Sequence, residues 1–163
     1  MAVTLVATAG AVNANSYCTV AEADDYHAMR YHNEDWDSAA QEDKEKLLMW
    51  ATRLLDQLDY AGAITTQSQA LRWPRAGCVD RERRMLDSST IPQPIKNACA
   101  EWAFQLLGED RTLDEGGLVE IGGKVGPITN AQGYRRKAVP DAVKEILSGQ
   151  VFYVPGYGKV FRV

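Results

Sequence analysis

Residues 41–58, QEDKEKLLMWATRLLDQL, have the clearest periodicity in the chain. Acidic residues crowd the start of this segment, where a helix dipole favours negative charge, and Gly62 follows it as the expected stop. A capping box at Ser38-Ala39-Ala40-Gln41 is the predicted beginning. The segment therefore predicts a long amphipathic helix, because its apolar residues recur at steps of three and four: Leu47, Leu48, Ala51, Leu54, Leu55 and Leu58.

Other helices are predicted on both sides of this one. Thr19-Val20-Ala21-Glu22 matches a capping box, which predicts a helix from Val20 to His32. Ala21, Ala28 and Met29, with Tyr26 nearby, are its candidate buried residues. A third helix opens near Pro92 and closes at Gly108, with an apolar stripe of Ile95, Ala98, Cys99, Trp102, Ala103 and Leu106.

The last third of the chain adds a hairpin and a short helix. Alternating residues around Gly122-Gly123 predict a β-hairpin near 118–128, with the glycines at its turn. A final helix runs from Pro140 to Gly149. The predicted fold is mainly α, a small bundle of about four helices with a β-hairpin and extended terminal arms. The predicted division is an N-terminal arm (1–15), a helical domain (16–148) and an extended C-terminal tail (149–163).

Composition limits the class of protein. With 163 residues, 45% of them hydrophobic and 25% charged, the chain is typical of one globular domain. No apolar run approaches the roughly 20 residues that cross a bilayer, so we expect no membrane partner. The three cysteines have no metal or redox spacing and are expected to be reduced thiols.

Charge is unevenly distributed along the chain. Residues 1–60 contain 4 basic and 11 acidic side chains, whereas residues 61–163 contain 14 and 11, which together give the net charge of −4. The two halves could be ordinary solvated surfaces, or surfaces that meet a charged partner or each other in an oligomer. The overall acidity argues against a dedicated nucleic-acid binder of the usual basic kind.

No catalytic pattern is present. Gly-x-Ser-x-Gly and the phosphate-binding loop Gly-x-x-x-x-Gly-Lys-Ser/Thr are both absent from the sequence. His27 and His32 are five residues apart, whereas two ligands on one helix face prefer a spacing of four. We therefore expect no enzyme activity, no cofactor and no metal, and we interpret both histidines as surface residues.

The segment Ala70-Leu71-Arg72-Trp73-Pro74-Arg75 is the most specific local feature. Pro74 disfavours helical backbone at Trp73, which places this aromatic residue on a connection. Trp73 could stack on a base, but we favour a structural role in which Trp73 and Pro74 anchor the loop between two helices. The candidate contacts to a neighbouring subunit or to DNA are Arg72, Arg75, Arg81, Arg83, Arg84, Arg135, Arg136 and Lys137.

The C-terminal tail is rich in aromatic residues and glycine, which is typical of an extended segment that is covered by something. Its candidate residues for docking on a portal or a neighbour are Phe152, Tyr153, Tyr157 and Phe161.

The order of these features resembles a tailed-bacteriophage family labelled "DnaT-like single-stranded DNA-binding protein", whose members are similar to head–tail connector proteins. The resemblance rests on Tyr17 to Ala23, the long helix with Ala51 to Asp56, the Leu-x-Trp-Pro-Arg motif at 71–75, the Ile91-Pro92 helix start, and the later segments Lys124 to Ile128 and Val139 to Val143. It covers roughly residues 16–148, and the 71–75 motif is its most specific part.

This resemblance implies a structural virion protein. It would be a head-completion adaptor that forms a ring, usually of twelve copies, under the portal protein, extends the channel for packaged double-stranded DNA and presents a platform to tail or neck proteins. Its location would be the virion neck, and the host cytoplasm during assembly. The alternative, taken from the family label, is a single-stranded DNA-binding replication accessory protein, which would need a basic groove with several aromatic residues.

Overall fold

The computed structural model of the protein describes residues 3–110, 119–125, 128–134 and 139–154. The described parts contain five helices: α1 (Val20–Ala28), α2 (Glu34–Ser38), α3 (Gln41–Leu55), α4 (Gln93–Gly108) and α5 (Asp141–Leu147). The same residues contain six strands in three antiparallel pairs: β1 (Asp59–Tyr60) with β6 (Tyr153–Val154), β2 (Ala63–Ile64) with β3 (Arg75–Ala76), and β4 (Val119–Val125) with β5 (Ile128–Tyr134). The prediction of a mainly α domain with a hairpin is confirmed.

Helix α4 is the centre of the core, since α1, α2, α3 and α5 all contact it. The predicted apolar face of α3 is confirmed: Leu48, Ala51 and Leu55 are fully buried against α4. A polar contact joins the two helices inside the core, where Thr52 Oγ1 lies 3.3 Å from Cys99 Sγ. No helix in the described part of the chain has the length and hydropathy to cross a membrane.

The two predicted capping boxes have different outcomes. The box at α1 is confirmed, since the Glu22 backbone N–H donates to Thr19 Oγ1 (3.2 Å) and the Thr19 N–H donates to the Glu22 carboxylate (2.8 Å). The box at Ser38 is wrong, because Ser38 ends α2 and α3 starts without a side-chain cap. Trp36 explains the extra helix: it is fully buried, and its indole N–H donates to Asp24 at 2.8 Å.

Helix α1 buries a different face from the predicted one and ends at Ala28. Val20, Ala23 and His27 face the core, while Met29 is 82% exposed. The observed buried residues follow steps of three and four, whereas the predicted Ala21, Ala28 and Met29 are all exposed. A hydrogen bond between His27 Nε2 and the Ala100 carbonyl (3.1 Å) holds the His27 side of α1 against α4.

The hairpin is longer than predicted, and its predicted turn is wrong. Gly122 and Gly123 lie within β4, opposite Ala131 and Asn130, and the pairing continues until Val125 meets Ile128. A turn at the double glycine would leave most of β5 without a partner, whereas this register pairs seven residues on each strand.

Both terminal segments contact the helical body where they are described. The Val6 backbone N–H donates to Asn15 Oδ1 (2.7 Å), and the Asn15 N–H donates back to the Val6 carbonyl (2.9 Å), so residues 3–15 fold back as a loop. That loop also accepts a hydrogen bond from Ala70 at 3.1 Å. Where they are described, residues 3–15 of the predicted N-terminal arm therefore lie against the helical body. The tail begins inside the fold, because Tyr153 and Val154 are the strand β6.

Candidate functional site

Trp73 forms a buried corner between the long helix and the start of the tail. It is 1% exposed and precedes Pro74 in a cis peptide bond. Its ring meets those of Tyr60 (5.5 Å between centroids) and Phe152 (5.0 Å) edge to face, both at 76°. Phe152 packs against the buried Trp73 ring, so a base cannot stack on that ring. The position of Trp73 is the one expected of a structural anchor.

Phe152 and Tyr153 were predicted to dock on a portal or a neighbour. For Phe152 that prediction is wrong, since its side chain is 1% exposed and fills the core beside Trp73. Tyr153 is half-buried and belongs to the strand pair with Tyr60. Tyr157 and Phe161 lie outside the described residues.

Arg75 points inwards rather than to a partner. Its guanidinium donates to the backbone carbonyls of Ala61 (2.7 Å), Gly62 (2.7 Å) and Arg72 (3.3 Å), and 9% of the residue is exposed. The predicted subunit or DNA contact is therefore wrong for Arg75. Its donors instead satisfy the carbonyls of a tight turn, which would otherwise be left without partners.

Gly62 is the residue that makes this turn possible. It has a φ of +71°, and a Cβ atom there would lie 2.4 Å from the Ala76 carbonyl oxygen and 2.7 Å from Cys78 Sγ. We expected Gly62 to end the long helix. It instead connects β1 to β2, seven residues after α3 ends at Leu55.

We call residues 72–84 the arginine loop. Apart from Arg75, its arginines are exposed to solvent. Arg72, Arg81, Arg83 and Arg84 all lie on the surface. Arg72 also donates to the Leu58 carbonyl at 3.2 Å, just beyond α3. The other predicted basic residues, Arg135, Arg136 and Lys137, lie outside the described residues.

Asp80 organises the tip of the arginine loop. Its carboxylate accepts the backbone N–H groups of Glu82 (2.9 Å) and Arg84 (2.8 Å) and the Arg84 side chain (2.7 Å). The Arg84 backbone N–H and the nearby guanidinium hold the pKa of Asp80 below its usual value. Arg84 is thus engaged within its own loop, and the other exposed arginines are better placed to meet a partner.

A concentration of acidic residues lies at the other end of α3. Residues 34–45 contain six acidic side chains and one lysine. That lysine, Lys44, is nearly buried and bonds to Asp24 at 2.9 Å. We call this surface the acidic end; its exposed members are Glu34, Asp35, Asp37, Glu42 and Asp43.

A groove of about 750 Å³ opens at the acidic end, between the start of α3 and the end of α4. The partly buried Phe104 and Leu107 contribute apolar surface, and Asp35, Asp43 and Glu109 contribute carboxylates. We call it the acidic groove. Sequence reasoning missed it; the available signal was that Phe104 and Leu107 are apolar residues outside the predicted stripe of α4.

The acidic end and the arginine loop are separated by the length of α3. Fifteen residues of α-helix span about 22 Å. The loop lies beyond the C-terminal end, because Arg72 bonds to Leu58 and Arg75 to Ala61. The exposed aromatic Tyr31 (88%) lies at the acidic end, where it lines a second groove with Glu34. Tyr31 is therefore not adjacent to the exposed arginines of the arginine loop.

His27 is buried, and its predicted surface position is wrong; His32 is exposed, as expected. The His27 ring packs against Trp36 (4.7 Å) and Phe104 (5.2 Å). Burial lowers the pKa of His27, and Nδ1 has no hydrogen-bond partner among the described residues. The cluster continues with the ion pair between Arg30 and the buried Glu101.

No group of three or more side chains able to hold a metal ion is found in the described part of the chain. The described residues form a mainly α domain with a surface loop of arginines and an acidic groove. The family model described as "Putative DnaT-like ssDNA binding protein" matches residues 1–162, and the chain belongs to this family. Neither the search of curated proteins nor the search of solved structures finds a match.

Proposed function

We propose that the protein is a structural connector whose copies associate head to tail. The observation that carries the proposal is the separation of charge along α3: an acidic end, and about 22 Å away a loop with four exposed arginines and two acidic residues. Two different, complementary surfaces on one chain favour heterologous contacts, which close into a ring when the rotation between copies permits it.

The place of such a ring is proposed from the resemblance to phage head–tail connectors. The protein would assemble under the portal protein in the virion neck, extend the channel for packaged DNA and offer a surface to tail or neck proteins. A net charge of −4 suits a channel through which DNA slides without adhering. No chemistry is required of the protein in this role.

Single-stranded DNA binding is the second candidate function, and the family description supports it directly. Exposed Arg72, Arg81 and Arg83 could contact phosphates. The burial of Trp73 counts against it, because binding without sequence preference uses aromatic side chains as stacking platforms beside the basic residues. The acidic net charge also counts against it.

Two measurements on the purified protein separate these functions. We expect negative-stain images of the protein mixed with portal protein to contain rings, and electrophoresis with single-stranded oligonucleotides at moderate salt to show no stable complex. Tight, salt-sensitive binding of single-stranded DNA without rings on the portal would refute the connector. The Arg81→Ala/Arg83→Ala variant is the matched test, since it should weaken DNA binding if these arginines contact phosphates.

A further inference from the structure

The acidic groove is suited to a segment that combines apolar and basic side chains. Phe104 and Leu107 are partly buried and offer apolar surface, while Asp35, Asp43 and Glu109 place carboxylates around it. Apolar contact at the centre and charged residues at the rim are the usual arrangement of a protein interface. A partner with positive charge near aromatic side chains would complement both parts.

Residues 155–163 of the same chain, PGYGKVFRV, have this composition. They contain the aromatic residues Tyr157 and Phe161, the basic residues Lys159 and Arg162, and no acidic residue. The segment 111–118, RTLDEGGL, follows α4 closely in sequence but contains two acidic residues and one basic residue. Charge complementarity therefore favours residues 155–163 as the occupant of a groove with an acidic rim.

Distance decides which copy of the chain supplies the segment. Val154 pairs with Asp59, beyond the C-terminal end of α3, whereas the groove lies at the N-terminal end, about 22 Å away along the helix. Tyr157 follows Val154 by three residues and reaches about 10 Å from it even when fully extended. Phe161 reaches about 24 Å, so the two aromatic residues cannot both enter the groove of their own copy.

We propose that residues 155–163 of one copy dock in the acidic groove of a second copy. This inference rests on the head-to-tail association proposed above and names the segments that meet. The tail and the arginine loop leave the same end of the molecule, since Arg81 lies beside Gly149 and Arg75 bonds to Ala61. One contact between copies would therefore bring both to the acidic end of the neighbour.

The direct test is binding of a fluorescent peptide of residues 155–163 to the full chain carrying Tyr157→Ala and Phe161→Ala, measured by fluorescence anisotropy. We expect a dissociation constant of about 10 µM at low salt that weakens as salt rises. Adding Asp43→Lys at the groove should weaken binding about tenfold. Glu82→Lys, an equal charge change on the arginine loop, should leave it unchanged.

Self-association shows whether a neighbour supplies the tail. By sedimentation equilibrium, Phe161→Ala should weaken association of the full chain at least about tenfold, whereas Val12→Ala, at a 70% exposed position, should not. The proposal would be overturned if the peptide binds but Phe161→Ala leaves self-association unchanged, because the tail would then occupy the groove of its own copy. Absence of peptide binding, or equal binding to Asp43→Lys, would also overturn it. If rings on the portal persisted in either case, the proposed function would stand without this contact.

Discussion

Replacing Trp73 by alanine tests the corner on which the loop depends. The side chain is 1% exposed and makes edge-to-face contacts with Tyr60 and Phe152. Removing a buried tryptophan typically costs about 3–5 kcal/mol, of which the two ring contacts account for about 1–3 kcal/mol. The indole N–H has no partner among the described residues, so its removal offsets about 1 kcal/mol. We expect a loss of about 2–4 kcal/mol in the free energy of unfolding.

Urea unfolding followed by circular dichroism measures this loss. Trp73→Phe should cost about 1–2 kcal/mol, because a ring remains between Tyr60 and Phe152. Tyr31→Ala, at an 88% exposed aromatic, is the matched control and should change stability by less than about 0.5 kcal/mol. A Trp73→Ala protein that keeps its stability and loses only affinity for single-stranded DNA would refute the reasoning.

Three further outcomes follow from buried polar groups. Arg75→Ala should destabilise the fold by about 2–3 kcal/mol in urea unfolding, because it leaves carbonyls of the turn unpaired, whereas Arg83→Ala should cost under about 0.5 kcal/mol. The lowered pKa of His27 means that the unfolded chain binds its proton more readily. Stability should therefore fall as pH drops below about 6.5, by at most about 1.4 kcal/mol per pH unit, and His27→Gln should lack this contribution between pH 6.5 and 5. Arg30→Ala should cost about 2 kcal/mol by leaving a buried carboxylate uncompensated, and Lys46→Ala, from an exposed ion pair, under about 0.5 kcal/mol; equal losses would contradict the assignment of the first pair to the core.

Periodicity predicted the helices well where burial alone decides the pattern. The stripe of α3 and the capping box of α1 follow from local sequence, and the structure has both. Predictions failed where a long-range contact chooses between equivalent local options. Local sequence offers either His27 or Met29 as a buried residue near the end of α1. The contacts of His27 with Ala100, Trp36 and Phe104 select His27.

The candidate site shows the same division between local and long-range information. The local sequence around Trp73-Pro74 does not indicate whether the Arg75 side chain points into the fold or into solvent. It points inwards because the carbonyls of a distant turn need hydrogen-bond donors. Arg72, three residues earlier, stays exposed. The acidic groove likewise exists only because the end of α4 meets the start of α3, which no local pattern predicts.

Head-to-tail association through opposite charges is tested most directly by mixing two charge-reversed variants. Arg81→Glu/Arg83→Glu has two acidic surfaces, because residues 72–84 then carry three arginines and four acidic side chains. Glu34→Lys/Asp35→Lys/Glu42→Lys has two basic ones, because residues 34–45 then carry four lysines and three acidic side chains. We predict that neither variant forms rings alone under conditions in which the unmodified chain does, and that an equal mixture restores them, as observed by sedimentation velocity and negative-stain imaging. Rings formed equally well by each variant alone, or an unmodified chain that remains monomeric even with portal protein, would contradict the account.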